Sequence, residues 1–358
     1  MKLKRIGVDL AKQVFQVHGV DSHEQVKCRK QLKRHQMLDF FRQLEPCVVA
    51  MEACGSAHYW ARELGKLGHE VRLIAPQFVK PYVKGGKNDA NDAQAICEAA
   101  SRPTMRYVEV KTVEQQASQS VHRIRGRLIK ARTALVNEVR GLLAEFGLIE
   151  SRKGVAATRE LLCRAIDDSD SSMPGSMREL LRGLSEELQG YDERLKKLEQ
   201  LIQREAREDE RVRRLMKIEG LGPISATAIV SAVGDARQFA SGRQFAAWLG
   251  LVPSQYSTGG KERLGGISKR GDKYLRTLLI HGSRSVLKHC QSKTDKRSDW
   301  LSQLMCRRNK NIATVALANK NARIIWAILS KGEQYQPAEQ QSATPGDATV
   351  VEIHSIAQ

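Results

Sequence analysis

Hydrophobic and polar positions change their period along the chain. Short apolar runs come first: Ile6–Leu10, Val14–Val20 and Val26–Leu32 read as three strands joined by short turns. A helical pattern over residues 35–44 leads to a fourth run, Val48–Glu52. Another, Ala57–Leu67, has Gly68 as a plausible C-cap and leads to a fifth strand, Val71–Ala75, stopped by Pro76. From 112 to 147 the period is helical throughout. Val121, Ile124, Leu128, Ala131, Leu135 and Leu142 make one stripe, with Arg123, Arg125, Arg127, Lys130 and Arg132 around it. After a polar stretch at 167–175, Leu181, Leu184, Leu188, Tyr191, Leu195, Leu198 and Ile202 alternate steps of three and four, a heptad seam. Such a helix pairs with the first long helix inside one chain, acting as a spacer, or joins two chains.

The pattern therefore divides the chain into a mixed α/β domain at 1–110, a helical coiled-coil linker at 111–213 and a mostly α domain at 214–331. A tail follows at 332–358. It carries four acids and no Lys or Arg and reads as disordered. A three-strand meander followed by strands alternating with helices matches a ribonuclease H-like layout for the first domain.

Charge narrows the partners. The 358 residues hold 59 Lys and Arg against 40 acids, a net charge of +19, which favours a polyanion, nucleic acid first. From Ser254 to Lys331 there are 17 basic residues against 4 acids, so most of the surplus is near the C-terminus. Seven cysteines form no Cys-x-x-Cys pair; a zinc site is not expected, and reduced thiols in a cytosolic protein are. No signal peptide opens the chain, and no apolar stretch reads as long enough to span a bilayer.

Four acids carry the sharpest candidate chemistry. Asp9 and Glu52 close apolar strands, and Asp89 and Asp92 lie three apart where a helix starts, on one face of it. Singly each has a plain reading as a solvated side chain or a helix cap, Asp89 as an N-cap above all. Together they suit Mg2+ or Mn2+, hard cations that serve phosphodiester chemistry. A second element, Gly220-Leu221-Gly222-Pro223, is either a helix-hairpin-helix turn offering amides to a DNA phosphate or an ordinary tight turn. A third is the loop from Ser254 to Asp272, in which Gly259, Gly260, Lys261, Arg263, Lys269 and Arg270 suit close approach to phosphates. Chemistry alone makes Ser257 a phosphate-binding hydroxyl, since no His/Asp partner is legible beside it. Trp248, Trp300 and Trp326 read as core residues, and His281 and His289 as packing or phosphate contacts.

These motifs resemble one family. Asp-Leu-Ala-Lys at 9–12, Met-Glu-Ala-Cys-Gly at 51–55, Lys-Asn-Asp-Ala-Asn-Asp-Ala at 87–93, Gly-Leu-Gly-Pro at 220–223, Arg-Gln-Phe-Ala-Ala-Trp-Leu-Gly-Leu-Val-Pro at 243–253 and the segment 257–272 are similar to the DEDD transposases of insertion-sequence family one-ten. That resemblance spans about residues 4–331 and implies a RuvC-like N-terminal domain. It further implies a DNA recombinase that moves its own element between donor and target DNA, guided by an element-encoded bridge RNA. By the same resemblance Asp9, Glu52, Asp89 and Asp92 bind the metal, and Ser257, followed by a second hydroxyl at Thr258, is the nucleophile. Dimers pairing into a tetramer, no membrane, and a bacterial cytoplasmic, nucleoid-associated location are implied too. Two other classes fit the residues: a junction-resolvase-like metal nuclease using water, and a non-catalytic nucleic-acid-binding protein.

Overall fold

A computed structural model describes residues 2–85, 88–168, 173–293 and 295–336. Two compact units divide at Gln116/Ala117.

The first unit is built on a six-stranded mixed sheet. Its strands are β1 (Arg5–Leu10), β2 (Val14–Val20), β3 (Val26–Lys33), β4 (Val48–Glu52), β5 (Glu70–Ile74) and β6 (Tyr107–Val108), in the order β3-β2-β1-β4-β5-β6. β1, β2 and β3 form an antiparallel meander, while β4 and β5 continue parallel to β1. This order is compatible with the RuvC-like layout. Alternation sorts the side chains by face. Ile6, Val8, Val49, Met51 and Leu73 join a core with Phe15, Met37, Phe41, Trp60 and Leu64, which brings in α1 (Met37–Arg42) and α2 (Ala57–Lys66). Ala50 and Ile74 point the other way, into a core with Val79 of α3 (Pro76–Val79) and with Ala95, Ile96 and Ala99 of α4 (Asp89–Ala99). Pro76 both ends the approach from β5 and opens α3 at its first turn, where a missing N–H costs nothing.

α4 lies unusually close to β1. A Cβ on Gly7 would fall 2.3 Å from the Ala93 carbonyl oxygen and 2.5 Å from the Cys97 amide nitrogen, so only glycine fits there. The buried Arg5 secures the other end of the same helix by donating from Nε to the Cys97 carbonyl oxygen (2.7 Å), and its guanidinium pairs with Glu24.

The second unit is helical apart from one hairpin. α5 (Val113–Glu145), which begins at the end of the first unit, runs antiparallel to α7 (Gly175–Glu208): Ser118 bonds Glu205, Arg125 pairs with Glu199 and Arg132 with Asp192. α6 (Val155–Asp167) fills the open end, where Leu161, Leu162 and Ala165 join Leu135, Val139, Leu143, Leu181 and Leu188 in one core. Of the heptad positions, Leu181, Leu188, Leu195 and Ile202 are buried inside the chain, while Leu184, Tyr191 and Leu198 are half-buried.

A further core joins α8 (Glu210–Met216), α9 (Pro223–Val233), α10 (Gly242–Trp248), α11 (Lys273–His289) and α13 (Lys310–Lys331), with α12 (Lys296–Arg307) packed against α13. The hairpin pairs β7 (Pro253–Gln255) with β8 (Leu264–Ile267). Contrary to the sequence expectation, α13 is long and apolar enough to cross a bilayer by length and composition alone. Its Leu317, Ala318, Ala322, Ile325 and Ile328 are buried against the other helices of this core. Residues 332–336, expected within a disordered tail, continue the unit: Gly332 caps α13 in the left-handed region and Tyr335 packs on the core. The rest of the expected tail, 337–358, lies outside the described residues, as do Lys87 and residues 169–172 of the polar stretch.

Candidate functional site

Two adjacent parallel strands and one helix start bring together an acidic cluster in the first unit. Val8 of β1 is in register with Met51 of β4, so the next positions along each strand, Asp9 and Glu52, are neighbours at the strand ends. Both share the sheet face of Gly7 and Ala50, the face α4 covers. The close packing allowed at Gly7 brings in the first turn of that helix. One carboxylate oxygen each from Asp9, Asp89 and Asp92 lies within 4.8 Å of the others. Glu52 stands outside this tight trio, but its charge is felt by Asp9 and it is pushed in turn by Asp92.

The electrostatics follow from the geometry. Burial, then the charges of Asp92, Asp89 and Glu52, push the Asp9 carboxyl up to about 6. Burial first, then Asp92, raises Glu52 as well. Ion pairs engage none of the four acids among the described residues. The helix start is held separately: Asn88, not Asp89, is the N-cap, accepting from the Ala90 amide at 3.0 Å. That frees the Asp89 carboxylate to face its neighbours. A hard divalent cation fits such an oxygen-only, mutually repelling donor set, and Asp9, Asp89 and Asp92, with Glu52 near, are the residues that would hold it.

Ser257 lies in the second unit, at the tip of the β7–β8 hairpin. Lys261 donates its amide to the Thr258 carbonyl, and Gly259 and Gly260 take φ of +57° and +76°. Two consecutive positive φ values make the two-residue turn that glycines favour. The Ser257 hydroxyl is exposed, and Gln255 Nε2 donates to its oxygen at 2.9 Å. Lys261, Arg263, Lys269 and Arg270 are all exposed. The base is stitched backbone to backbone. Ser268 donates to Val252 and Lys269 to Gly250, while a Cβ on Gly250 would lie 2.0 Å from the Arg270 carbonyl oxygen. The result is an anchored arm with a polar, basic tip.

Gly220 and Gly222 have different surroundings. A Cβ on Gly282 of α11 would sit 1.9 Å from the Gly220 carbonyl oxygen, so Gly220 (φ +88°) is packed against that helix. Gly222, N-cap of α9, faces open space. Just before them in the chain, the Glu219 carboxylate is held by Arg297 (2.7 Å) and Lys293 (3.0 Å). Trp248 is exposed rather than in the core, although it stacks on Phe245; Trp300 and Trp326 are half-buried. His281 and His289 are exposed on α11. Asn88 and Gln255 went unremarked in the sequence reading; an Asn directly before a helix is a capping signal, whereas nothing in the pattern marks Gln255.

Comparison with known proteins gives two family matches. Residues 6–147 match a DEDD transposase family, and residues 212–299 match the transposase family IS116/IS110/IS902. A protein of Pseudomonas aeruginosa named "Probable family 20 transposase" is 66% identical over 337 residues, 94% of this chain and 100% of that protein. The transposase for insertion sequence element IS1111A of Coxiella burnetii is 48% identical, covering 93% of this chain and 92% of that protein. The transposase for IS1328 of Yersinia enterocolitica is 40% identical over 91% and 97% of the two chains.

Proposed function

The chain belongs to the IS116/IS110/IS902 family of insertion-sequence transposases, and we propose that it cuts and rejoins DNA through Asp9, Glu52, Asp89 and Asp92 and a serine nucleophile, Ser257. It is a DNA transposase, its substrate is DNA, and its DEDD domain points to a divalent metal. The convergence of Asp9, Asp89 and Asp92 within 4.8 Å carries the rest of the reading.

Mg2+ or Mn2+ bound there supplies charge stabilisation at a phosphate. Asp9, Asp89 and Asp92, with Glu52 near, would hold that cation, because carboxylates alone repel a phosphate. Ser257 attacks the phosphorus. A bond forms between its Oγ and phosphorus, the bond from phosphorus to one sugar oxygen breaks, the serine proton is given up and the departing oxygen takes one. A sugar hydroxyl of the partner strand then attacks the phosphoserine and restores the serine. The number of phosphodiester bonds is conserved, so no nucleotide cofactor is needed. Lys261, Arg263, Lys269 and Arg270 neutralise the backbone on either side. A bridge RNA choosing donor and target, and dimers pairing into a tetramer in which one subunit's acids meet another's serine, complete the proposal.

One observation favours a second reading. The partner of Ser257 Oγ is Gln255, an amide that cannot take a proton; a water-using nuclease would not need it to. Incubating the full chain with DNA carrying an element end and Mg2+, then denaturing, separates the two. A DNA strand covalently attached to protein, absent in Ser257→Ala and in Asp9→Ala but present in Thr258→Ala, is the expected result. Cleaved strands with free ends and no attached protein would establish the water reading instead.

A further inference from the structure

The second unit also holds a recess whose lining includes no residue of the β7–β8 hairpin. Between α10, α12 and α13 there is a cavity of about 720 Å3, within the ~300–1,000 Å3 range of small-ligand clefts. Its lining is two-sided. Arg243, Lys320 and Arg323 bring positive charge to one part, and Ile324, Trp326 and Ala327 give an apolar wall.

The cations crowd one another. Arg323 is lowered from its ordinary value by burial and then by Arg243, and Lys320 by burial and then by Arg297 and Arg323. The Lys320 ammonium lies over the Trp300 ring, 4.8 Å from its centre. Among the described residues no carboxylate pairs with Lys320; the one acid lining the cavity, Glu333, pairs with Lys331. Trp326 is fixed by its indole N–H, which donates to the Phe239 carbonyl at 3.0 Å. The half-buried Lys320 and Arg323, with the exposed Arg243 and an anchored aromatic beside them, complement an anion that carries a flat apolar body.

We propose that this cavity binds one unpaired nucleotide of single-stranded DNA, its phosphate among Arg243, Lys320 and Arg323 and its base against the wall around Trp326. The inference rests on the reading that the chain acts on DNA, and it names a strand-holding site apart from the reacting groups. A paired base stays in its stack and cannot enter a recess, whereas an unpaired one turns out of the strand and gains stacking.

Binding of the full-length chain to a short fluorescent oligo-dT, read by anisotropy in EDTA, tests this. The assay detects no strand transfer, so a failure of the proposed chemistry would leave its outcome intact. Lys320→Met is expected to weaken oligo-dT binding about tenfold and to make the salt dependence shallower by about 0.7 in slope. Binding of a blunt duplex is expected to stay unchanged, and Lys320→Arg to behave as the unaltered chain. Oligo-dT is also expected to quench tryptophan emission, with most of that quenching absent in Trp326→Phe. Arg323→Gln serves as the second variant should Lys320→Met melt early. Equal losses on duplex and single strand, unaltered oligo-dT binding in both variants, or tighter binding of oligo-U than oligo-dT would each overturn the proposal.

Discussion

Gly7 and Ala93 meet backbone to backbone: a side chain on Gly7 would put its Cβ 2.3 Å from the Ala93 carbonyl oxygen. Asp9 stands two residues beyond Gly7 on the same face, and Asp92 directly precedes Ala93. The spacing of the carboxylates is therefore set by the absence of a side chain at position 7. Gly7→Ala forces α4 outward and is expected to cost about 1–3 kcal/mol of stability through overpacking. It should also separate Asp9 from Asp92 and reduce the rise in melting temperature that Mg2+ confers. Thermal melts with Mg2+ and with EDTA measure both; a variant that is destabilised yet keeps the full Mg2+ response would show that the cluster does not depend on this contact.

Asp9 is the most strained member of that cluster, with burial and three like charges acting against its ionisation. Asp9→Asn removes one charge from the repelling set. In EDTA the variant is expected to be more stable than the unaltered chain by about 1 kcal/mol, a figure reduced for solvent screening. In Mg2+ it should gain little and transfer no strand. Stability is thus predicted to move opposite to activity, as expected of carboxylates kept for a ligand. Equal melting temperatures in EDTA would argue that the repulsion is relieved by solvent.

Much of this site is visible in the sequence because strands and acids announce themselves locally. β1 and β2 start and end within a residue of their apolar runs, and Asp9 and Glu52 close strands whose alternation is plain. Other parts had no local signal. β6 has two residues, too few for a period. β7 and β8 carry Ser, Gln and two glycines on an exposed hairpin, so no apolar alternation marks them within a helical domain. α6 is short and sits between polar ends, and its buried Leu161 and Leu162 have meaning only against Leu135 and Leu181, remote in the chain. Proximity also separates the acids more finely than order does: Asp9, Asp89 and Asp92 form the tight trio, and Glu52 stands off.

The two glycines of the α8–α9 turn are predicted to respond differently to the same change. Gly220 has φ +88° and abuts Gly282, so Gly220→Ala meets backbone at 2.8 Å and a strained conformation, and is expected to cost about 2–4 kcal/mol. Gly222 has open space and extended backbone, so Gly222→Ala is expected to cost under about 1 kcal/mol. Urea unfolding of both variants distinguishes them. With folding preserved, Gly222→Ala also reports on phosphate contact at this turn through duplex affinity, which Gly220→Ala cannot do cleanly.

His122 of α5 ties three helices of the second unit together and makes that unit sensitive to acid. Thr227 Oγ1 donates its proton to the Pro223 carbonyl (2.8 Å), so at 3.0 Å it accepts from His122 Nε2–H. That leaves Nδ1 unprotonated, accepting from the Tyr274 hydroxyl at 3.2 Å. The neutral ring is thus satisfied on both sides. Burial first, then the nearby Arg125 guanidinium, lowers its pKa to about 4, against 6.5 for an ordinary histidine. Between those values the unfolded chain binds a proton that the folded chain refuses, so stability falls as pH drops from 6.5 towards 4. The contribution is fully present above pH 6.5 and amounts to about 3 kcal/mol. His122→Gln keeps a hydrogen-bonding side chain but does not titrate, and its urea-unfolding free energy should decline less steeply over the same interval. The difference between the two profiles isolates this residue from the carboxylates that titrate alongside it. A difference that stays constant from pH 6.5 to 4 would mean that His122 takes up its proton without disturbing the junction of α5, α9 and α11.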